Sequence, residues 1–225
     1  MSDPLPYNPL DKLNLGKSVA EALLQQPKAL LGELKPFLGA GIYVIYYNGD
    51  YEAYQQLTRI GTEYEIEIPI YVGKADLEGG RKGLINSSIQ SSSKLYKRLA
   101  EHAQSIRQAQ NLNIDDFTCR YLVVDEIWIS LGEALLIAKF APLWNQLLEG
   151  FGNHDPGRGR RAGMRSRWDV LHPGRKWVEN TSPRPDTPEE IINDINEHLR
   201  SSAVIQRLLV GRSPNNPKDA NTTEH

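Results

Sequence analysis

The sequence lacks the features that mark several large protein classes. Its single cysteine, Cys119, excludes an intrachain disulfide and a zinc site built from several thiolates. No apolar run approaches the roughly 18 residues of a membrane-spanning helix, and the N-terminal segment has no signal-peptide pattern. The net charge is only −2, so composition alone does not indicate a nucleic-acid-binding protein. We therefore expect a soluble protein of the reducing cytoplasm.

Three stretches rich in β-branched and aromatic residues predict strands. GIYVIYY at residues 41–47 is followed by an Asn-Gly turn signal at 48–49. YEIEIPIYV at residues 64–72 alternates apolar and polar side chains, which predicts a strand with one buried face. FTCRYLVV at residues 117–124 is the third. Without long crossovers between them, these strands predict a small, mostly antiparallel three-stranded sheet.

Helical patterns flank the predicted strands. Residues 15–38 are predicted as two helices separated at Pro27, and residues 94–110 as one further helix. Residues 131–140 are apolar nearly all round, which predicts a buried helix. A TPEE capping box at residues 187–190 begins the last helix. The expected class is α+β, with helices around the sheet.

The expected organisation has four parts. These are an N-terminal arm with helices (1–39), a core (40–148), a basic loop with a C-terminal helix (149–210), and a disordered tail (211–225). The N-terminal part either embraces a ligand or partner or simply covers the sheet.

Basic side chains form one stripe on the helix predicted at residues 94–110. Lys94, Arg98 and His102 follow one another at intervals of four residues. This pattern is typical of a solvent-exposed basic face. It also suits chemistry, because the arginine fork matches phosphate geometry and histidine transfers protons near neutral pH.

Two further polar residues have both a structural and a chemical interpretation. Glu133 follows Ser130 at capping-box spacing, yet it also begins an apolar helix face, where a carboxylate is either paired or binds a metal. A metal held by one carboxylate would be a hard ion such as Mg²⁺. Asn145, just after this helix, is either a turn residue or part of a site.

A glycine-rich basic segment follows, with tryptophan and histidine interleaved. Phosphate contacts need lysine and arginine, and bidentate arginine reads guanine in the major groove. We predict nucleic-acid contacts here and at two lysines nearer the core. The predicted residues are Lys74, Lys94, Arg158, Arg160, Arg161, Arg165, Arg167, His172 and Arg175.

Together these residues resemble the GIY-YIG nuclease superfamily over roughly residues 40–146. Gly41-Ile42-Tyr43 matches the first motif, and Tyr71-Val72-Gly73 matches the second with valine in place of isoleucine. Arg98, Glu133 and Asn145 match the arginine, glutamate and asparagine that follow in order. The long spacing, with an insertion at Asp50–Glu63, and His102 resemble the type II restriction endonucleases of the superfamily.

The resemblance implies Mg²⁺-dependent hydrolysis of double-stranded DNA, with one ion held by Glu133. It implies that Arg98 stabilises phosphate charge, that Tyr71 positions the phosphate and that Asn145 braces the site. Either Tyr43 or His102 is the general base. The implied catalytic set is Tyr43, Tyr71, Arg98, His102, Glu133 and Asn145.

The same resemblance carries expectations about partners and specificity. Enzymes of this type act in the bacterial cytoplasm as homodimers on palindromes, here of CCGCGG type, beside a DNA methyltransferase. Repair or mobile-element endonucleases of the superfamily are an alternative, although they usually carry a separate domain for which this chain has no room. A DNA-binding protein with a degenerate nuclease fold is the other alternative.

Overall fold

A computed structural model describes residues 8, 10–76, 92–153 and 163–201. Strands β1 (Ala29–Leu30), β2 (Gly41–Tyr47), β3 (Pro69–Ala75) and β4 (Phe117–Val123) lie in these ranges. They form one antiparallel sheet in the order β1-β4-β2-β3. The predicted α+β class and antiparallel sheet are confirmed, with the short edge strand β1 in addition.

Helices cover both faces of the sheet. They are α1 (Lys12–Leu24), α2 (Gln55–Glu63), α3 (Lys94–Gln108), α4 (Glu126–Phe140), α5 (Leu143–Gln146), α6 (Arg167–Leu171) and α7 (Pro188–Arg200). Single 3₁₀ turns lie at Leu31–Glu33, Glu52–Tyr54, Ile114–Asp116 and Lys176–Asn180. None of the described helices has the length and apolar composition needed to cross a membrane.

Strand β2 lies at the centre of the fold, and all seven of its residues are buried. Ile42 and Val44 face the core shared with α1 and α4, whereas Tyr43 and Ile45 face the core shared with α2 and α3. Each such buried side chain contributes about 1.5–3 kcal/mol relative to exposure. Burial on both faces explains why this strand reads as one continuous apolar run.

The second helix predicted within residues 15–38 is wrong. After Pro27 the chain pairs Ala29 and Leu30 with β4 and then makes a 3₁₀ turn. Pro27 and Pro36 leave fewer residues between them than an isolated helix of about 12–15 residues needs. The edge of β4 instead supplies hydrogen-bond partners for this backbone.

Two other predicted boundaries are corrected. The strand predicted at residues 64–72 begins only at Pro69, because Glu65 has a left-handed φ of 50° and breaks the extended backbone. The capping box at Ser130 is also wrong. Helix α4 begins at Glu126 after Asp125, which places Ser130 inside the helix. The capping box before α7 is confirmed, with reciprocal bonds between Thr187 and Glu190.

The segment between the two tyrosine motifs adds to the core. Within Asp50–Glu63 the chain forms a 3₁₀ turn and α2, which bury Tyr54, Leu57 and Ile60. Helix α6 likewise lies within the basic loop predicted before the C-terminal helix, and it buries Trp168. Both additions enlarge the core on the Tyr43 face of the sheet.

Candidate active site

The stripe on α3 runs from the partly exposed Lys94 and Arg98 to a buried His102. His102 is only 2% exposed, and its Nε2 lies 2.6 Å from the Tyr43 hydroxyl oxygen. One turn earlier, the Arg98 Nη2 donates to the Gly152 carbonyl at 2.9 Å, and its side chain stays 23% exposed. The helix therefore brings a buried imidazole and a partly exposed guanidinium to the same side of β2.

The Tyr43 ring lies across the neighbouring strand because residue 73 is glycine. Tyr43 and Gly73 are partners in the β2–β3 ladder, and a Cβ on Gly73 would collide with the tyrosine ring. Burial raises the pKa of the Tyr43 phenol well above its ordinary value, and charge on Tyr71 raises it further. The phenol is therefore neutral near pH 7 and keeps a proton that it can pass on.

Tyr71 stands beside Tyr43, two positions before Gly73 on β3. The two ring centroids are 6.2 Å apart. Burial raises the pKa of Tyr71, while the nearby Arg98 guanidinium acts in the opposite direction. Tyr71 is thus a neutral hydrogen-bonding group between Tyr43 and Arg98.

Glu133 reaches the same place from α4. Its carboxylate Oε2 lies 3.5 Å from the Lys74 Nζ, which also contacts Asp76 at 3.1 Å and donates to the Ser130 hydroxyl at 2.8 Å. Partial burial raises the pKa of the Glu133 carboxyl, and Lys74 opposes that rise. A positive charge beside this carboxylate is therefore stabilising.

These side chains meet at a cavity of about 620 Å³. Tyr43, Tyr71, Arg98 and Glu133 line it, and cationic side chains from β3 and α3 surround them. The sequence interpretation missed three charged residues that also line the cavity, namely Asp76, Lys97 and Glu101. No sequence motif marks these three residues, because only the sheet register and the orientation of α3 bring them to the cavity. The lysines around the cavity attract a polyanion, and the tyrosines that line it can take part in proton transfer.

Asn145 braces the edge of the sheet. Its side-chain amide donates to the Val72 carbonyl and its oxygen accepts from the Val72 N–H, both at 2.8 Å. Strand β3 is an edge strand, so Asn145 stands where the next strand would pair. This pair of hydrogen bonds fixes the backbone between Tyr71 and Gly73. Asn145 itself does not line the cavity described above.

The donor set fits a hard divalent cation with few protein ligands. Among the described residues, no group of three or more histidine, cysteine, aspartate or glutamate side chains could hold a metal. Glu133 is a carboxylate at the cavity wall, with Asp76 close by. Mg²⁺ commonly takes one or two carboxylates and completes its shell with water and phosphate oxygens. Glu133 therefore suits such an ion.

The predicted DNA contacts separate into distinct groups. Lys74 and Lys94 line the cavity. Arg165 is partly buried, and Arg167 is ion-paired with Asp194. Three others of the basic segment, Arg158, Arg160 and Arg161, lie outside the described residues.

His172 and Arg175 do not reach the surface. They are 0% and 2% exposed, and each bonds to groups of the interior. This burial argues against direct DNA contact by either side chain.

Comparison with known families agrees with this geometry. The family model of the Eco29kI GIY-YIG domain matches residues 35–199. The chain belongs to this family. The Eco29kI GIY-YIG domain defines a family of restriction endonucleases. The protein is therefore a nuclease with DNA as its substrate. The matched range contains every residue of the cavity. No curated protein matches the sequence.

Proposed function

We propose that the protein is a Mg²⁺-dependent, site-specific endonuclease that cuts both strands of DNA at a GC-rich palindrome. The observation that carries the proposal is the 2.6 Å hydrogen bond between the buried His102 and Tyr43, which lines a cavity together with Arg98 and Glu133. This arrangement joins a proton relay, a phosphate-binding cation and a carboxylate for a metal. Each of the three can lower the barrier to phosphodiester hydrolysis.

Proton transfer uses the buried pair. An attacking water gives its proton to the Tyr43 oxygen while the phenolic proton passes to His102 Nε2, so no free tyrosinate accumulates. This concerted transfer agrees with the raised pKa of Tyr43. It requires the His102 tautomer whose Nε2 is unprotonated.

Two groups would stabilise the negative charge of the phosphate, namely the Arg98 guanidinium and the metal ion held by Glu133. Arg98 stabilises the negative charge that develops on the non-bridging oxygens, and Tyr71 orients the same phosphate by hydrogen bonding. Glu133 would hold the Mg²⁺ ion, which when bound polarises the phosphate and stabilises the leaving 3′ oxygen. Asn145 acts on the backbone of β3, and so keeps Tyr71 and Gly73 in position.

One active site of this kind cuts one DNA strand. A palindrome is cut on both strands most simply by two copies related by a twofold axis, so the proposed active form is a homodimer. Arginines of the basic segment around residues 158–167 are proposed to read or grip the DNA. A partner methyltransferase would protect the host sequence without forming a stable complex.

Incubation of supercoiled plasmid with the purified protein and Mg²⁺, followed by mapping of the ends, tests this proposal. Discrete double-stranded fragments with one common end sequence are expected. Nicks at branched structures would instead indicate a repair nuclease. Tight binding without cleavage would indicate a degenerate fold. Either result would overturn the proposed function.

A further inference from the structure

We propose that Arg175 is a positioning residue for the cleavage reaction. It would act through the loop at residues 150–153, which contacts the catalytic side chains of α3. The inference rests on the proposed roles of Arg98 and His102, and it adds a buried residue that lies outside the cavity. Three sets of contacts carry it.

The loop lies directly against the catalytic groups. The Phe151 ring stacks on the His102 ring, with centroids 4.5 Å apart and planes at 17°. The next residue, Gly152, accepts a hydrogen bond from Arg98 Nη2 at 2.9 Å. A Cβ on Gly152 would lie 2.9 Å from the Tyr71 hydroxyl and 3.1 Å from Arg98 Nη2. A small shift of this loop therefore moves the two side chains proposed to transfer protons and bind phosphate.

Arg175 holds that loop by its backbone. Its Nη1 donates to the carbonyls of Phe151 at 3.1 Å and Asn153 at 3.2 Å, and its Nη2 donates to that of Gly150 at 2.9 Å. Gly150 has a φ of 106°, a conformation that needs glycine. One guanidinium thus fixes three carbonyls of a tight turn, which a lysine ammonium could not match in geometry.

Arg175 is itself anchored from the opposite side. Its Nε donates to Asp169 at 2.6 Å, and both side chains are almost fully buried. The second oxygen of Asp169 accepts from the Ser166 hydroxyl at 2.6 Å. The guanidinium also lies over the ring of Trp168, with its carbon 4.6 Å from the centroid. The chain of contacts therefore runs from Asp169 through Arg175 and the loop to Arg98 and His102.

A purely structural role would leave the chemistry of folded molecules unchanged, and this difference defines the test. Arg175→Lys keeps the charge beside Asp169 but loses the fork that holds the carbonyls. Arg120→Lys is the matched control, since Arg120 is a partly buried arginine that, like Arg175, bonds a carboxylate and a carbonyl, but on the other face of the sheet. Gly152→Ala is the positive control, because its new Cβ would crowd the Tyr71 hydroxyl and the Arg98 guanidinium directly.

Cleavage started by adding Mg²⁺ to equimolar enzyme and DNA, at concentrations well above the dissociation constant, separates rate from folding, because unfolded enzyme lowers only the amplitude. For Arg175→Lys we expect the rate constant to fall about 10- to 100-fold at full amplitude and unchanged DNA affinity, as displacement of catalytic groups does. Gly152→Ala should behave alike, and Arg120→Lys should keep the wild-type rate. A reduced amplitude with a wild-type rate constant would overturn the inference. If Arg175→Lys does not fold, Asp169→Asn, which has the same volume, weakens the same anchor and is judged by the same criteria.

A second readout is independent of activity. The ring current of Phe151 shifts the NMR signals of the His102 ring, which a His102→Gln variant assigns. Arg175→Lys should move these signals and Arg120→Lys should not. If the wild-type protein cuts no DNA, the proposed function fails, and this spectrum alone still decides whether Arg175 positions His102. Unmoved signals would overturn the inference even in an active enzyme.

Discussion

Two tyrosine–histidine pairs in this protein make the same hydrogen bond in different surroundings. Tyr43 bonds His102 Nε2, and Tyr54 bonds His172 Nε2. Both tyrosines are 0% exposed, and burial raises the pKa of both phenols well above the ordinary value. Hydrogen bonding and burial alone therefore do not distinguish a catalytic pair from a structural one.

The neighbours of each pair make the distinction. Tyr43 lines a cavity together with the charged side chains of Arg98 and Glu133. Tyr54 instead accepts from Trp144 Nε1 at 2.9 Å, and its ring packs among other aromatic rings. In the proposed mechanism, a Tyr–His pair acts as a proton relay only where charged groups and a cavity adjoin it.

Removing the phenol at the cavity should have the largest effect. Tyr43→Phe deletes the oxygen that receives the proton from water, so the single-turnover rate should fall about 10²- to 10⁴-fold. The fold should persist, because the ring still fills its place against Gly73. Cleavage by Tyr43→Phe at the wild-type rate would show that the relay does not pass through this residue.

The same change at the interior pair should act on stability alone. Tyr54→Phe leaves the buried donor of Trp144 and the Nε2 of His172 without their shared partner. The free energy of unfolding, measured with denaturant, should decrease by about 1–3 kcal/mol. The cleavage rate of the folded enzyme should stay unchanged. A stable but slow Tyr54→Phe enzyme would contradict the division between the two pairs.

A smaller effect should appear with pH at the interior pair. Burial, followed by the charge of Arg175, lowers the pKa of His172 from 6.5 to about 3. The unfolded chain takes up this proton near pH 6.5, so the neutral histidine stabilises the fold fully above that value. That stability is lost as the pH falls from 6.5 towards 3. His172→Gln should therefore remove about 2 kcal/mol of the decline in unfolding free energy between pH 7 and 5. An equal decline in both proteins would exclude a depressed pKa at His172.

Local signals in the sequence predicted much of the framework. The apolar run of β2 and the capping box of α7 need only neighbouring residues, and the structure confirms both. The order of the tyrosines, Arg98, Glu133 and Asn145 also identified the family. Predictions that needed distant partners were less successful. The exposed basic role expected for Arg175 did not anticipate Asp169 and the carbonyls of residues 150–153, which enclose it.

The two histidines illustrate the same limit. Nothing near His172 in the sequence indicates that Tyr54, more than 100 residues away, would be its partner. The helical spacing from Arg98 and the family resemblance together indicated His102 as a candidate, and its Nε2 lies beside the Tyr43 hydroxyl. Asp76 and Lys97 escaped notice because the sheet register and the crossing of α3 decide whether they reach the cavity.

Replacement of Glu133 by glutamine tests the central claim most directly. Cleavage of a mapped DNA site in Mg²⁺ is compared with the wild type and with Glu126→Gln, a change at an exposed carboxylate on the same helix. We predict that Glu133→Gln loses at least about 10³-fold in rate, since the metal no longer stabilises phosphate charge. Specific DNA binding should persist, and Glu126→Gln should cut normally. Mg²⁺-dependent cutting by Glu133→Gln at the wild-type rate would contradict the account.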